Sequence, residues 1–120
     1  MLEKVVRLTV DLTVNDGQLE DFKKVAEAMN AGSEAEPGTL GYEWFFGADG
    51  KSVRLLETYA DAAAIEAHFT GPVVGALVPK LVPLCKVERM EIYGDPGPKV
   101  TAMSAGLGGQ VFAYWAGLSR

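Results

Sequence analysis

The run LGYEWFFGADGKSVRLLETY, residues 40–59, decides the architecture. Tyr42, Trp44 and Phe46 alternate with Glu43 and Phe45. After Ala48-Asp49-Gly50, the residues Val53, Leu55, Glu57 and Tyr59 alternate with Arg54, Leu56 and Thr58. Two period-two runs joined by a short Asp-Gly turn read as a β-hairpin, with strands over 40–47 and 51–59. Successive side chains of a strand point to opposite faces, so each strand offers one face to a core.

Working outward, residues 3–14 form another alternating run, with Val6, Leu8, Val10, Leu12 and Val14 against Arg7, Thr9, Asp11 and Thr13. Asn15-Asp16-Gly17-Gln18 starts a helix, Asn15 as cap and Gln18 at the reciprocal capping-box position. Leu19, Phe22, Val25, Ala26 and Met29 fall at helical spacing up to about Asn30, with Gly32 as the stop. Glu36-Pro37-Gly38-Thr39 is a turn. Downstream, Asp61 caps a helix over 62–69 that carries Ile65, His68 and Phe69. Gly71-Pro72 ends it and opens a helix over about 72–84, kinked by Pro79 and Pro83. Residues 86–93 are a strand with Glu88, Met90 and Ile92 on one face and Val87, Arg89, Glu91 and Tyr93 on the other.

The order strand, helix, strand, strand, helix, strand is the split βαβ pattern. It predicts an α+β, ferredoxin-like fold with a four-stranded antiparallel sheet. Gly94-Asp95-Pro96-Gly97-Pro98 is a linker, which divides the chain into a domain over 1–94 and an extension over 95–120. The extension should hold a short helix over 99–106. Its tail contains Val111, Phe112, Tyr114, Trp115 and Leu118, too apolar for a solvated tail. The tail is expected to dock on its own or a partner subunit.

Two helices cover only one face of such a sheet. The other carries Arg7, Thr9, Asp11, Arg89 and Glu91 among apolar neighbours and is expected to close against a second copy as a homodimer. The 120 residues are 48% hydrophobic and 22% charged, the balance of one globular domain. Eleven Lys and Arg against 16 Asp and Glu give a net charge of −5. Without a basic cluster, neither nucleic acid nor an anionic membrane is an expected partner. No apolar run approaches the ~20 residues that span a bilayer. Arg7 and Asp11 interrupt the N-terminal apolar stretch, so no signal peptide is expected there. Cys85 is the single cysteine and His68 the single histidine. One thiol makes no intrachain disulfide, which fits a reducing, cytoplasmic setting. No metal site is expected, and Cys85 reads as a small buried residue near a helix end.

Two segments carry a family resemblance. Glu36-Pro37-Gly38-Thr39-Leu40-Gly41-Tyr42-Glu43 resembles the "EPG…YE" segment of the antibiotic biosynthesis monooxygenase (ABM) domain family. Leu56-Glu57-Thr58-Tyr59-Ala60-Asp61, followed by Ala64 and His68, resembles the same family, and the likeness covers residues 3–93. It implies a dimeric α/β barrel with a pocket between sheet and helices. Family members include cofactor-independent oxygenases of anthrones and quinols, haem-degrading enzymes, and an isomerase of a phosphorylated sugar, so activity does not follow from membership. The haem-degrading branch uses an asparagine on its first strand with a tryptophan and a histidine. This first strand has no asparagine, and Tyr59 stands where that tryptophan is expected, which argues against haem degradation.

Cofactor-independent oxygenation needs no flavin or metal. A base removes a proton from an electron-rich substrate, and the resulting anion passes an electron to oxygen. His68 is the candidate base, since imidazole exchanges protons near neutrality. Tyr59 is the candidate donor to a substrate oxygen. Trp44 and Tyr42 could wall a flat aromatic, and Glu57 could serve as a base or as an ion-pair partner. The reading is thus a cofactor-independent monooxygenase of a small quinol-like or polyketide-like aromatic. Its alternatives are a barrel that binds an apolar metabolite without turnover, and an oxygen-independent isomerase.

Overall fold

The computed structural model describes residues 4–120. Strand β1 spans Val6–Val14; the proposed start of that strand at Glu3 lies outside the described residues. Helix α1 spans Leu19–Glu34, β2 Thr39–Phe46, β3 Ser52–Tyr59 and α2 Ala62–Thr70. A π-helical turn, Val73–Leu77, leads into the short helix α3, Val78–Leu81, and a 3-10 turn, Val82–Leu84. Strand β4 spans Cys85–Tyr93, helix α4 Gly97–Ala105 and strand β5 Gln110–Phe112. The fold is α+β and ferredoxin-like, and its sheet order is β2-β3-β1-β4-β5.

Four of these strands pair antiparallel, as expected; the fifth, β5, runs parallel to β4. A sheet of five strands replaces the four read from the sequence. Gln110-Val111-Phe112 is too short to show alternation, and Gly108-Gly109 before it reads as a break rather than the approach to a strand. Three contacts hold this end: Gln110 opposite Glu91, Val111 opposite Ile92, and Phe112 opposite Tyr93. The Phe112 and Tyr93 rings stack with centroids 5.5 Å apart.

Alternation places one face of the sheet under the helices. Val6, Leu8, Leu12 and Val14 of β1, Val53, Leu55 and Tyr59 of β3, and Ile92 of β4 are buried there with Phe22 and Met29 of α1 and Ile65 and Phe69 of α2. Burying an aliphatic or aromatic side chain contributes about 1.5–3 kcal/mol. β4 does not keep the phase read from its sequence. The β1–β4 register shifts between Asp11 and Leu12, so Arg89 faces Asp11 but Val87 faces Leu12. A bulge of this kind flips the strand's faces beyond it. Val87 thereby joins Met90 on the covered side, and Glu88 accepts a 2.7 Å hydrogen bond from the Thr13 hydroxyl.

The helix α1 starts and stops differently from the sequence reading. The residue before its first turn is Gln18, without a side-chain cap. Asn15 instead donates from Nδ2 to the Pro83 carbonyl at 3.2 Å, tying the β1–α1 loop to the end of the 3-10 turn. Gly32 does not stop the helix, which runs to Glu34. A Cβ on Gly32 would sit 2.7 Å from Val73 Cγ2. That glycine leaves room for the Val73 side chain of the π-helical turn, a packing reason for a glycine inside a helix. The Asp61 cap is as read: its carboxylate accepts from the Ala64 N–H at 2.9 Å.

Candidate active site

The site grows from the turn between α1 and β2. A Cβ on Gly38 would lie 2.5 Å from Ala64 Cβ, so the absence of a side chain lets this turn press onto the first turn of α2. Ala64 and His68 are four residues apart and share one helix face. Glu36, two residues before Gly38, therefore meets His68: Glu36 Oε1 and His68 Nδ1 are 2.7 Å apart. The carboxylate accepts, so Nδ1 carries the hydrogen and Nε2 faces the other way. Glu36 also accepts from the Thr39 hydroxyl at 2.8 Å, which fixes it across the turn.

His68 is 2% exposed, so it is a core residue of α2 rather than a surface one. Its ring lies between two tyrosines, 5.4 Å from the centroid of Tyr42 and 5.4 Å from that of Tyr59. Glu57 Oε1 is 3.8 Å from His68 Nε2 and accepts the Tyr59 hydroxyl hydrogen bond. Tyr42 lies opposite Glu57 in the β2–β3 register. Burial, the largest influence, pushes the Glu57 carboxyl up to about 8; the Tyr59 hydrogen bond works against this and the nearby Glu36 charge adds to it. Burial likewise raises the Tyr42 and Tyr59 phenols, with the Glu57 charge adding to both. Burial therefore favours the neutral acid form of Glu57, set beside an imidazole that meets the second carboxyl, Glu36, through Nδ1.

These groups form one end of a cavity of about 240 Å³ between the sheet and the helices. Leu8, Val10 and Leu12 of β1 form its floor, Val74 and Val78 of the irregular segment one wall, and Cys85 and Met90 of β4 another. Leu107, from the turn after α4, lines it as well. Among the described residues, no group of three or more His, Cys, Asp and Glu side chains is arranged to hold a metal ion. Cys85 is buried, donates to the Leu81 carbonyl at 3.5 Å, and has its thiol raised by burial.

Of the residues singled out from sequence, Tyr42, Glu57 and His68 meet at the cavity. Tyr59 is fully buried and does not line the cavity; it meets the lining groups through its hydrogen bond to Glu57 and its ring beside His68. Trp44 is not among the lining residues, although its ring meets that of Tyr42 edge-on at 5.9 Å. Its indole N–H donates to Asn30 Oδ1 at 2.5 Å, and its ring meets Phe22 of α1 edge-on at 5.8 Å, so it closes the core at the sheet edge. Sequence reasoning gave Glu36 no role in the site. A signal for it existed: Glu36 precedes a Pro-Gly turn that must pack somewhere, but the partner 32 residues away is a tertiary fact.

No curated protein matches the chain by sequence. Its fold resembles that of MupZ from Pseudomonas fluorescens at a TM-score of 0.84 and 23% identity, over 98% of this chain and 95% of that one. It also resembles SnoaB, a cofactor-independent oxygenase from Streptomyces nogalater, at a TM-score of 0.68 and 18% identity, over 79% of this chain and 96% of that one. A conserved protein from Methanosarcina mazei follows the same fold at a TM-score of 0.71 and 16% identity, over 78% and 94% of the two chains. Residues 5–80, the span that contains Glu36, Tyr42, Glu57, Tyr59 and His68, match the antibiotic biosynthesis monooxygenase family model, and the chain belongs to that family.

Proposed function

We infer that this chain is a cofactor-independent monooxygenase acting on a small, largely apolar aromatic. The observation that carries the reading is the cavity with its acid–base groups gathered at one buried end: His68 held by Glu36, next to Glu57. Family membership and the likeness to SnoaB support it. His68 Nε2 would take a phenolic or activated C–H proton, and the substrate anion would reduce oxygen by one electron and recombine at carbon. The protonated His68 would return its proton to the peroxide anion, and the hydroperoxide would lose water with the remaining hydrogen of that carbon to leave a carbonyl. Glu57, as a neutral acid, would donate a hydrogen bond to the substrate oxygen where negative charge develops.

The test is oxygen uptake with a panel of reduced quinols and anthrones, catalase and a chelator present, counted above the rate without protein. Wild type should consume oxygen, and His68→Ala should lose roughly a hundredfold. Equal uptake by both removes His68 from the reaction. A second reading is favoured by the raised Glu57 carboxyl: a neutral acid beside an imidazole suits an isomerisation. It predicts product formation at the same rate without oxygen.

The working unit in this reading is a homodimer through the open sheet face. Phe45, Leu56, Tyr93 and Phe112 are exposed there, and Trp115 and Leu118 of the tail are 94% and 76% exposed. The 95–120 extension serves its own subunit's cavity through Leu107 and offers its tail to the second copy. Sedimentation should give twice the mass of one chain; a monomer at micromolar concentration defeats this assembly.

A further inference from the structure

The cavity is polar at one end only. Tyr42, Glu57 and His68 stand at the inner end, and elsewhere its lining side chains are hydrocarbon or sulfur-bearing. Three lining residues are exposed, Val82, Val87 and Leu107, at 48%, 42% and 58%, and they mark the mouth. Glu57 is only 4% exposed. The strand register separates the two ends. Glu57 lies opposite Leu8 on one side of β1, and Val87 lies opposite Leu12 on the other. Four residues of strand amount to about 13 Å, so the cavity crosses the sheet diagonally.

At the polar end, protein partners take one atom each of Glu57 and His68. Tyr59 occupies Glu57 Oε1, and Glu36 occupies His68 Nδ1. Among the described residues, Glu57 Oε2 and His68 Nε2 have no hydrogen-bond partner, and His68 Nε2 lies 3.8 Å from Glu57 Oε1. A ligand oxygen placed there gains partners, whereas one placed further along meets only Leu, Val, Met and Cys side chains and stays unsatisfied.

We propose that the cavity selects a molecule with a single hydrogen-bonding oxygen at one end of an otherwise apolar body, bound oxygen-first against Glu57 and His68 with its body towards Val82, Val87 and Leu107. This rests on the reading that the cavity is the functional site, and it narrows the ligand. An aromatic with oxygens at both ends of its long axis, such as a para-quinol, leaves its second hydroxyl among hydrocarbon. Leu107, carried on the turn after α4, stands at the mouth beside the far end of the body.

The experiment is calorimetric titration of the oxygen-free protein with naphthalene, 2-naphthol and naphthalene-2,6-diol. 2-Naphthol should bind about tenfold more tightly than either of the others, because naphthalene leaves the polar end unmet and the diol buries an unpaired hydroxyl. In Glu57→Leu, which leaves His68 Nε2 as the oxygen's remaining partner, the preference for 2-naphthol over naphthalene should narrow to about threefold. The wild-type ranking decides by itself if that variant fails to fold. Equal affinity for all three, a diol that binds as tightly as 2-naphthol, or no binding by any of them overturns the proposal. Oxygen uptake is measured separately. A chain that ranks the ligands as stated but consumes no oxygen keeps this inference and loses the oxygenase reading; uptake with the diol preferred does the reverse.

Discussion

The two faces of the sheet carry the same alternation in sequence and live in opposite surroundings. On the covered face Val6, Leu8, Val53, Tyr59 and Ile92 are essentially without solvent contact. On the open face Asp11 and Arg54 pair at 3.2 Å with the arginine side chain 52% exposed, and Phe45 and Leu56 stand in solvent. Both faces contain carboxylates, but they behave differently. Asp11 has a cation beside it and water around it. Glu57, the buried carboxyl among the described residues, has a tyrosine, an imidazole and hydrocarbon. The difference teaches that position in the alternation fixes which face a charge joins, while the layer above that face decides whether it is chemistry or solvation.

The contrast should break most severely where the covering layer is cut away. Phe22 of α1 is 1% exposed and meets Trp44 and Phe46 edge-on. Phe22→Ala should cost about 3–5 kcal/mol in urea unfolding. A loss under about 1 kcal/mol, within the range of surface substitutions, would mean that α1 is not what seals the covered face.

Next in size is the proton on Glu57. An unfolded glutamate releases it near 4.5, and the folded chain holds it to about 8. Between those values the native state binds the extra proton, so stability falls as pH rises. This contribution is present in full below about 4.5 and is lost as pH climbs through about 8, with a slope of up to ~1.4 kcal/mol per pH unit. Glu57→Gln has no such proton, and its stability should run flatter over the same range. Unfolding curves for both chains from pH 5 to 8.5 should diverge by a few kcal/mol; parallel curves would show that Glu57 is ionised in the fold.

How much of this was legible follows from the range of the forces. Period-two alternation is local, so β1, β2, β3 and the in-phase set Val53, Leu55, Glu57 and Tyr59 could be read directly. The Asp61 cap was readable because it needs only residues three apart. The β4 bulge was not, because Val87 and Glu88 exchange faces through the register against β1, which β4's own sequence does not encode. The cavity was half legible: Tyr42, Glu57 and His68 came from spacing and family likeness. Glu36 joined them through a glycine contact between two distant turns, and Trp44 stands one ring back from the cavity, against Tyr42, Asn30 and Phe22.

That glycine contact supplies a smaller test. Gly38→Ala places a methyl 2.5 Å from Ala64 Cβ, where neither side can rotate away. The turn must lift from α2, at about 1–3 kcal/mol of stability. It should also lengthen the Glu36–His68 hydrogen bond, so activity should fall more than stability alone accounts for, and the His68 imidazole NMR signals should move. Full activity with unmoved signals would separate the turn from the site.

The smallest effect tells most about the open face. Asp11 and Arg54 face each other across β1 and β3. As a solvated pair, their coupling in a double-mutant cycle should be about 0.2–1 kcal/mol and should fade with added salt. If a second copy covers this face, water leaves the pair. Its coupling should then exceed that range, resist salt, and weaken when the protein is diluted below its dissociation constant, because only the assembled form excludes solvent. A coupling that is small and salt-sensitive at every concentration would leave the open face a solvated surface. The two faces would then differ as they do in a single chain, with the exposed Phe45 and Leu56 needing another reason to be there.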